Sequence, residues 1–211
     1  MTVSETPFPE CSDRCGIAIA GLGRLHVGFA AALVLCLAGS VAVAGNVDVY
    51  NGEFDADLAG WSLSGPPFPA WSMLDYQGNA LSGSATLSND AGEANIRLVP
   101  LRQCVYFPGA GSYRIEAQGF LPAGHPGGRL LVSLTSHSPA DCSGGTNLGA
   151  GFFLNSNGNW QYGSIDVNII SGFNYVNLML AIEKDAAGGN LAGTIDAVRA
   201  IYRERIFANG F

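Results

Sequence analysis

The chain has 211 residues, with 17 acids against 10 bases and a formal net charge of −7. That balance argues against a nucleic-acid or anionic-membrane binder, which needs clustered arginine and lysine; the only lysine is Lys184. The length suits one domain with a substantial core.

The N-terminal part is expected to be a leader. Val27–Ala44 has no ionisable side chain besides the Cys36 thiol, and it ends in the small-x-small pattern Ala42-Val43-Ala44 that signal peptidase accepts. Arg24 is the last charge before it. The expectation is residues 1–44 as leader and signal peptide, and residues 45–211 as a single exported domain, secreted or otherwise outside the cytoplasm and monomeric. The segment Met1–Gly21 carries many acids and prolines for a signal, so the leader is long or the true start lies downstream. Beyond Ala44, 14 acids and 8 bases remain. Only Cys104 and Cys142 remain of five cysteines. Two cysteines in an exported domain most simply form one disulfide. A structural zinc site is disfavoured, because neither His125 nor His137 has the spacing to complete one.

In chain order, short apolar or alternating runs recur, separated by Gly, Pro, Asn and Ser. They predict strands at Asp48–Phe54, Gly60–Leu63, Trp71–Tyr76, Ser84–Asn89, Asn95–Leu101, Gln103–Phe107, Ser112–Leu121, Arg129–Thr135, Gly149–Leu154, Trp160–Ile169, Tyr175–Glu183 and Gly193–Tyr202. Ser112–Leu121 alternates clearly, and Tyr175–Ile182 is nearly continuous in apolar residues, as a central strand is. Ile195–Phe207 reads about equally well as a helix. Ser64–Trp71, Ser138–Gly151 and Asp185–Gly193 read as loops. Many short strands at even spacing imply an all-β sandwich or barrel.

Candidate chemistry is sparse. The nucleophile-elbow pattern is absent from Gly45–Phe211, and both His125 and His137 read as exposed loop residues. Glu116, Asp166 and Glu183 lie on predicted strands, and a glycan hydrolase would need two such acids facing each other across a cleft; solvated strand acids are the ordinary reading. Glu53, Asp55 and Asp57 do not make an EF-hand, because its sixth and twelfth positions are wrong in either register. The aromatics include Trp61, Trp71, Trp160, Tyr76, Tyr106, Tyr113, Tyr162, Phe173 and Tyr175, enough for a sugar-stacking platform. Trp61 and Trp160 read more readily as core plugs, Trp61 the more so, because large aromatics are mostly buried.

NGEFDADLAGW (Asn51–Trp61), Trp71 with Asp75, SGSATLSN (Ser82–Asn89), QCVYFPGAGSYRIEAQGF (Gln103–Phe120), ADCSGG (Ala140–Gly145), Trp160 and GTIDAVRAIY (Gly193–Tyr202) occur in that order. Together they resemble the bacterial carbohydrate-binding modules of the family 4, 9 and 22 type, in particular a stand-alone exported branch. The resemblance spans nearly all of residues 45–211. It implies a jelly-roll β-sandwich of two antiparallel sheets, Trp61 as a packing residue and a Cys104–Cys142 bridge. It also implies a structural calcium held by Glu53 and Asp196 with backbone carbonyls. The expected role is non-catalytic binding of a glycan or surface polysaccharide, with Trp160, Tyr162 and Tyr175 as candidate ligand contacts. The alternative is a structural or interaction module of the cell envelope without a sugar site.

Overall fold

A computed structural model describes residues 47–124, 127–155 and 158–203. The chain divides into two units, Met1–Val41 and Ala42–Phe211. The expected leader and its cleavage point after Ala44 lie outside the described residues, as do His125 and residues 204–211.

Ten strands follow in order: β1 (Ser62–Leu63), β2 (Ala70–Ser72), β3 (Ser84–Asn89), β4 (Ile96–Tyr106), β5 (Gly111–Phe120), β6 (Arg129–His137), β7 (Thr146–Asn155), β8 (Trp160–Ile169), β9 (Tyr175–Lys184) and β10 (Leu191–Arg203). They form two antiparallel five-stranded sheets. The first has the order β1-β4-β9-β6-β7, the second β2-β3-β10-β5-β8. This is the β-sandwich expected from the alternation. On β5, Tyr113, Ile115 and Ala117 point inward, and on β9 Val176, Leu178, Leu180 and Ile182 do the same. Between the sheets they meet Phe54, Trp61, Leu87, Leu101, Phe107, Leu130 and Leu134. Trp61 is the packing residue the sequence suggested: its ring lies 5.5 Å from that of Phe54, and its indole N–H donates to the Asn51 carbonyl at 3.2 Å.

Several elements differ from the sequence reading, and the predicted strand Trp71–Tyr76 is only the short β2. Asn95–Leu101 and Gln103–Phe107 are one strand, β4, because Pro100 lies in a bulge between Leu98 and Leu101. A proline has no N–H for the ladder, and a bulge asks for none. The predicted strand Asp48–Phe54 is a set of turns instead. Val47 makes a single bridge to Ala200, and Asn51 and Phe54 take φ of 50° and 48°. This stretch docks beside β10, where Val198 N–H donates to the Gly52 carbonyl at 2.8 Å. A Cβ on Gly52 would lie 2.1 Å from the Val198 carbonyl oxygen, so only glycine permits this approach. Finally, Thr146–Leu148 belong to β7 rather than to a loop. The helical alternative for the C-terminal stretch gives way to β10, which is long and bulged between Asp196 and Arg199.

Cys104 on β4 is disulfide-bonded to Cys142, with Cα atoms 5.8 Å apart and a sequence separation of 38. In the loop-entropy account a closure of that length stabilises by about 4 kcal/mol. The chain leaves β6 at His137 and is tied back to β4, so the 138–145 loop crosses the end of β9, which lies between those strands.

Candidate functional site

Strand parity decides which side chains leave the core, and the two outer faces differ sharply. On the second sheet the outward residues include Ser84, Glu116, Gln118, Trp160, Tyr162, Thr194, Asp196 and Arg199. Ser84, Thr194 and Asp196 are nonetheless 0%, 6% and 1% exposed. The segment between β2 and β3 covers them. Tyr76 N–H donates to Asp196 Oδ2 at 3.1 Å, and the Tyr76 ring meets Trp160 edge-on at 6.4 Å. Trp160 is also packed against Phe120 at 5.8 Å, which leaves it half-buried. Tyr162 is exposed, and its hydroxyl donates to Glu116 at 3.0 Å.

Among the described residues, the first sheet carries such cover only at one end, where the 138–145 loop lies over Cys104 and His137. Its outward residues run in cross-strand rows: Tyr106, Tyr175 and His137; then Cys104, Asn177, Thr135 and Gly149; then Arg102, Met179, Ser133 and Gly151. The last rows hold Ala181, Leu131 and Phe153, then Arg97, Glu183, Arg129 and Asn155. Asn177, Met179, Ser133 and Thr135, in mid-sheet, all retain solvent contact. Tyr106 and Tyr175 pair across strands with ring centroids 5.3 Å apart, and Tyr106 is 54% exposed. Gly149 and Gly151 leave the middle of β7's outer side without side chains, and a Cβ on Gly149 would meet nothing within 4 Å. The result is an open face, with the disulfide-anchored loop at one end and an arginine cluster at the other.

In that cluster the Glu183 carboxylate takes the Arg97 Nε–H at 2.8 Å and the Arg129 Nε–H at 2.8 Å. Both guanidinium groups lie over the Phe153 ring, at 5.8 and 4.0 Å from its centroid. Burial works to raise the Glu183 pKa, but the hydrogen bonds and charges of the two arginines outweigh it and hold the carboxyl below its usual range.

The ligand candidates taken from the sequence are therefore not one constellation. Trp160 and Tyr162 stand on β8 on the outer side of the second sheet, while Tyr175 stands on β9 on the outer side of the first. Each lies on the outward parity of its strand, but a full sandwich separates the two sites. Tyr106, Phe153 and the three arginines were not singled out as contacts; they become visible only once β4 and β7 are given a parity, and the core residues Val105, Phe107 and Leu154 set it.

Glu53 lies near enough to Asp196 for its charge to be felt there, and both its oxygens are taken by Arg199, at 2.6 and 2.9 Å. Asp196 is the better fit to a cation. Its carboxylate is buried and accepts only the Tyr76 and Ala197 N–H groups, the latter at 2.6 Å. Desolvation pushes it up to about 7, with smaller contributions from the nearby Asp75 and Glu53 charges; the two N–H donors act the other way. On the same face the buried hydroxyls of Ser84 and Thr194 have no hydrogen-bond partner. Calcium accepts carboxylate, hydroxyl and carbonyl oxygens. No group of three or more acids, histidines or cysteines gathers among the described residues, so neutral oxygens would supply most of such a shell.

Two further expectations change. His137 is not an exposed loop residue: it ends β6, is 5% exposed, and holds the Gly144 carbonyl through Nδ1 at 2.7 Å and Thr135 Oγ1 through Nε2 at 2.8 Å. A carbonyl can only accept, so Nδ1 carries a proton, and the Thr135 hydroxyl can pair with Nε2 as donor or acceptor. The strand acids do not face one another across a cleft either. Asp166 is paired with Arg114 and Glu116 with Tyr162 on one outer face, and Glu183 lies on the other.

No family model matches the chain, and neither does any curated protein. Solved structures do. The enzymatically active domain of bacteriophage CBA120 tailspike protein 4 aligns over 74% of this chain at 13% identity and a TM-score of 0.55, although the chain spans only 21% of it. TmCBM61, solved in complex with beta-1,4-galactotriose, aligns over 74% of this chain and 97% of its own length, at 17% identity and a TM-score of 0.52. The C-terminal family 22 carbohydrate-binding module of Clostridium thermocellum Xyn10B aligns over 73% of this chain and 92% of its own, at 16% identity and 0.51. At such identities the likeness concerns architecture: residues 47–203 have the jelly-roll β-sandwich fold of the carbohydrate-binding modules.

Proposed function

We propose that the protein is a non-catalytic polysaccharide-binding module that takes a sugar chain across the outer face of its first sheet. The observation that carries this reading is the contrast between the two faces. One is covered at Asp196 and Trp160 by Tyr76 of the protein's own segment 73–83, while Tyr162 beyond it stays exposed. The other is, among the described residues, a broader open face with aromatic rings at both ends and amide, hydroxyl and guanidinium groups between them. Aromatic faces stack on pyranose rings while polar groups meet the hydroxyls. Single binding modules span nearly the same length as this domain and support the assignment. The disulfide favours an oxidising compartment outside the cytoplasm. Affinity gel electrophoresis against a panel of plant and bacterial polysaccharides tests the reading. Retardation by at least one of them, lost in Tyr106→Ala, is expected; folded protein retarded by none would overturn it.

We propose in addition that a calcium ion supplies the positive charge Asp196 lacks, held by Asp196 with hydroxyl and backbone oxygens rather than by the Glu53 carboxylate. The envelope-interaction reading has its own support in Phe68, Met73, Leu74 and Leu81, which lie in one segment and are 43–88% exposed. That reading requires Phe68→Ser and Leu81→Ser to abolish self-association or capture of an envelope protein, with polysaccharide binding absent throughout.

A further inference from the structure

We propose that the first sheet's outer face selects an anionic polysaccharide, a sugar chain bearing carboxylate or sulfate groups, over a neutral one. This rests on the reading of that face as the glycan site and names the class of its ligand.

The argument is one of local charge. The five strands of the first sheet carry Arg97, Arg102, Arg129 and Lys184 against a single acid, Glu183. Lys184 does not count toward the surface: its ammonium is buried and donates to the carbonyls of Ala91, Gly188 and Gly189. Glu183 is also buried and is shared by Arg97 and Arg129, so the three together keep one positive charge. The two guanidinium groups rest on Phe153, and their side chains remain 44% and 41% exposed. Arg102 is exposed and has no acid partner among the described residues, which adds a second positive charge.

The two charges are spaced along the face. Arg97 and Arg102 stand opposite Glu183 and Met179 of β9, four residues apart and thus about 13 Å along the strand. A sugar chain lying along the sheet meets both, with Asn177, Ser133 and Thr135 beside it. Arginine suits this ligand because its planar fork donates two parallel hydrogen bonds to a carboxylate or sulfate edge. Phe153 offers a ring face beside the arginines, which distinguishes the site from a plain cation patch.

The chain's overall acidity does not oppose this at short range. Among the described residues the acids nearest in sequence to the face, Asp141, Asp185 and Glu93, sit in the loops at its two ends, and the other described acids besides Glu183 belong to other loops or to the second sheet. At physiological salt, charges more than about 8 Å away are largely screened. The opposite face has no comparable excess, since Arg114 and Arg199 are matched by Asp166 and Glu53.

The experiment compares ligands that share a backbone. Polygalacturonate and its fully methyl-esterified form differ only in charge; dextran sulfate and dextran form a second such pair. Binding to the full chain is measured by affinity gel electrophoresis and calorimetry. At least tenfold tighter binding of an acidic member than of its neutral partner is expected, falling about tenfold between 50 and 200 mM salt. Arg102→Gln should shrink the acidic-to-neutral ratio severalfold at unchanged melting temperature, and Phe153→Ala should weaken both. Sulfated dextran bound in this pattern while polygalacturonate is not upholds the proposal and identifies sulfate as the group. A neutral member bound as tightly as its acidic partner overturns the charge proposal and leaves the glycan face standing. Acidic polymers bound with no effect of Phe153→Ala would be simple ion exchange and overturn it too. Binding to no polysaccharide, acidic or neutral, overturns both this proposal and the reading beneath it.

Discussion

Asp196 departs from the rule that a buried charge has a partner. Its carboxylate is 1% exposed, no cation pairs with it among the described residues, and burial raises its pKa to about 7. An acid whose folded pKa is raised takes up a proton more readily folded than unfolded. In EDTA this group therefore contributes stability at pH 4 that is lost as the pH rises toward 7, by up to about 1.4 kcal/mol per pH unit. Calcium at pH 7.5 should restore it, raising the melting temperature by several degrees, and Asp196→Ala should remove both responses. A melting temperature that rises steadily from pH 5 to 7.5 in EDTA and ignores calcium would contradict this account. Glu183 is the opposite case, a buried acid matched by two arginines. Glu183→Gln removes the charge that holds them together and should cost about 2–3 kcal/mol in urea denaturation, since stranding partners of a buried pair is expensive. A cost below half that would show the cluster contributes little to the fold.

At the scale of elements, alternation was legible and interruptions were not. Ser112–Leu121 and Tyr175–Glu183 emerge from the pattern nearly residue for residue, because one face of each is core. Pro100 reads as a stop in sequence; only the partner strand β9 reveals it as a bulge in a continuous β4. Asp48–Phe54 alternates like a strand, but its pairing is limited to β10 beyond the end of β3, and the turn residues Asn51 and Gly52 set its course. That gives a test: Gly52→Ala forces a Cβ against the Val198 carbonyl and should destabilise by about 2 kcal/mol, while Gly149→Ala, with open space around it, should cost under 1 kcal/mol. Equal effects would mean the docking against β10 is dispensable. The disulfide was legible from counting cysteines. Which aromatics share a face was not, because it depends on the sheet assignment of β8 and β9, set by long-range pairing.

At the scale of the whole domain, the described residues leave the first sheet's outer face the more open of the two, since the segment between β2 and β3 packs on the second. The disulfide anchors the loop at one end of that face. Its reduction should lower stability by about 4 kcal/mol and weaken ligand binding in the protein that remains folded. Undiminished binding after reduction would place the ligand away from that loop. The most direct measurement is polysaccharide affinity in three variants made side by side: Tyr106→Ala and Phe153→Ala at the two ends of the open face, and Tyr162→Ala on the other sheet. Binding weakened at least tenfold by the first two and unchanged by Tyr162→Ala is the predicted result. Binding that survives in Tyr106→Ala and Phe153→Ala but is lost in Tyr162→Ala would contradict the account and move the site to the opposite face.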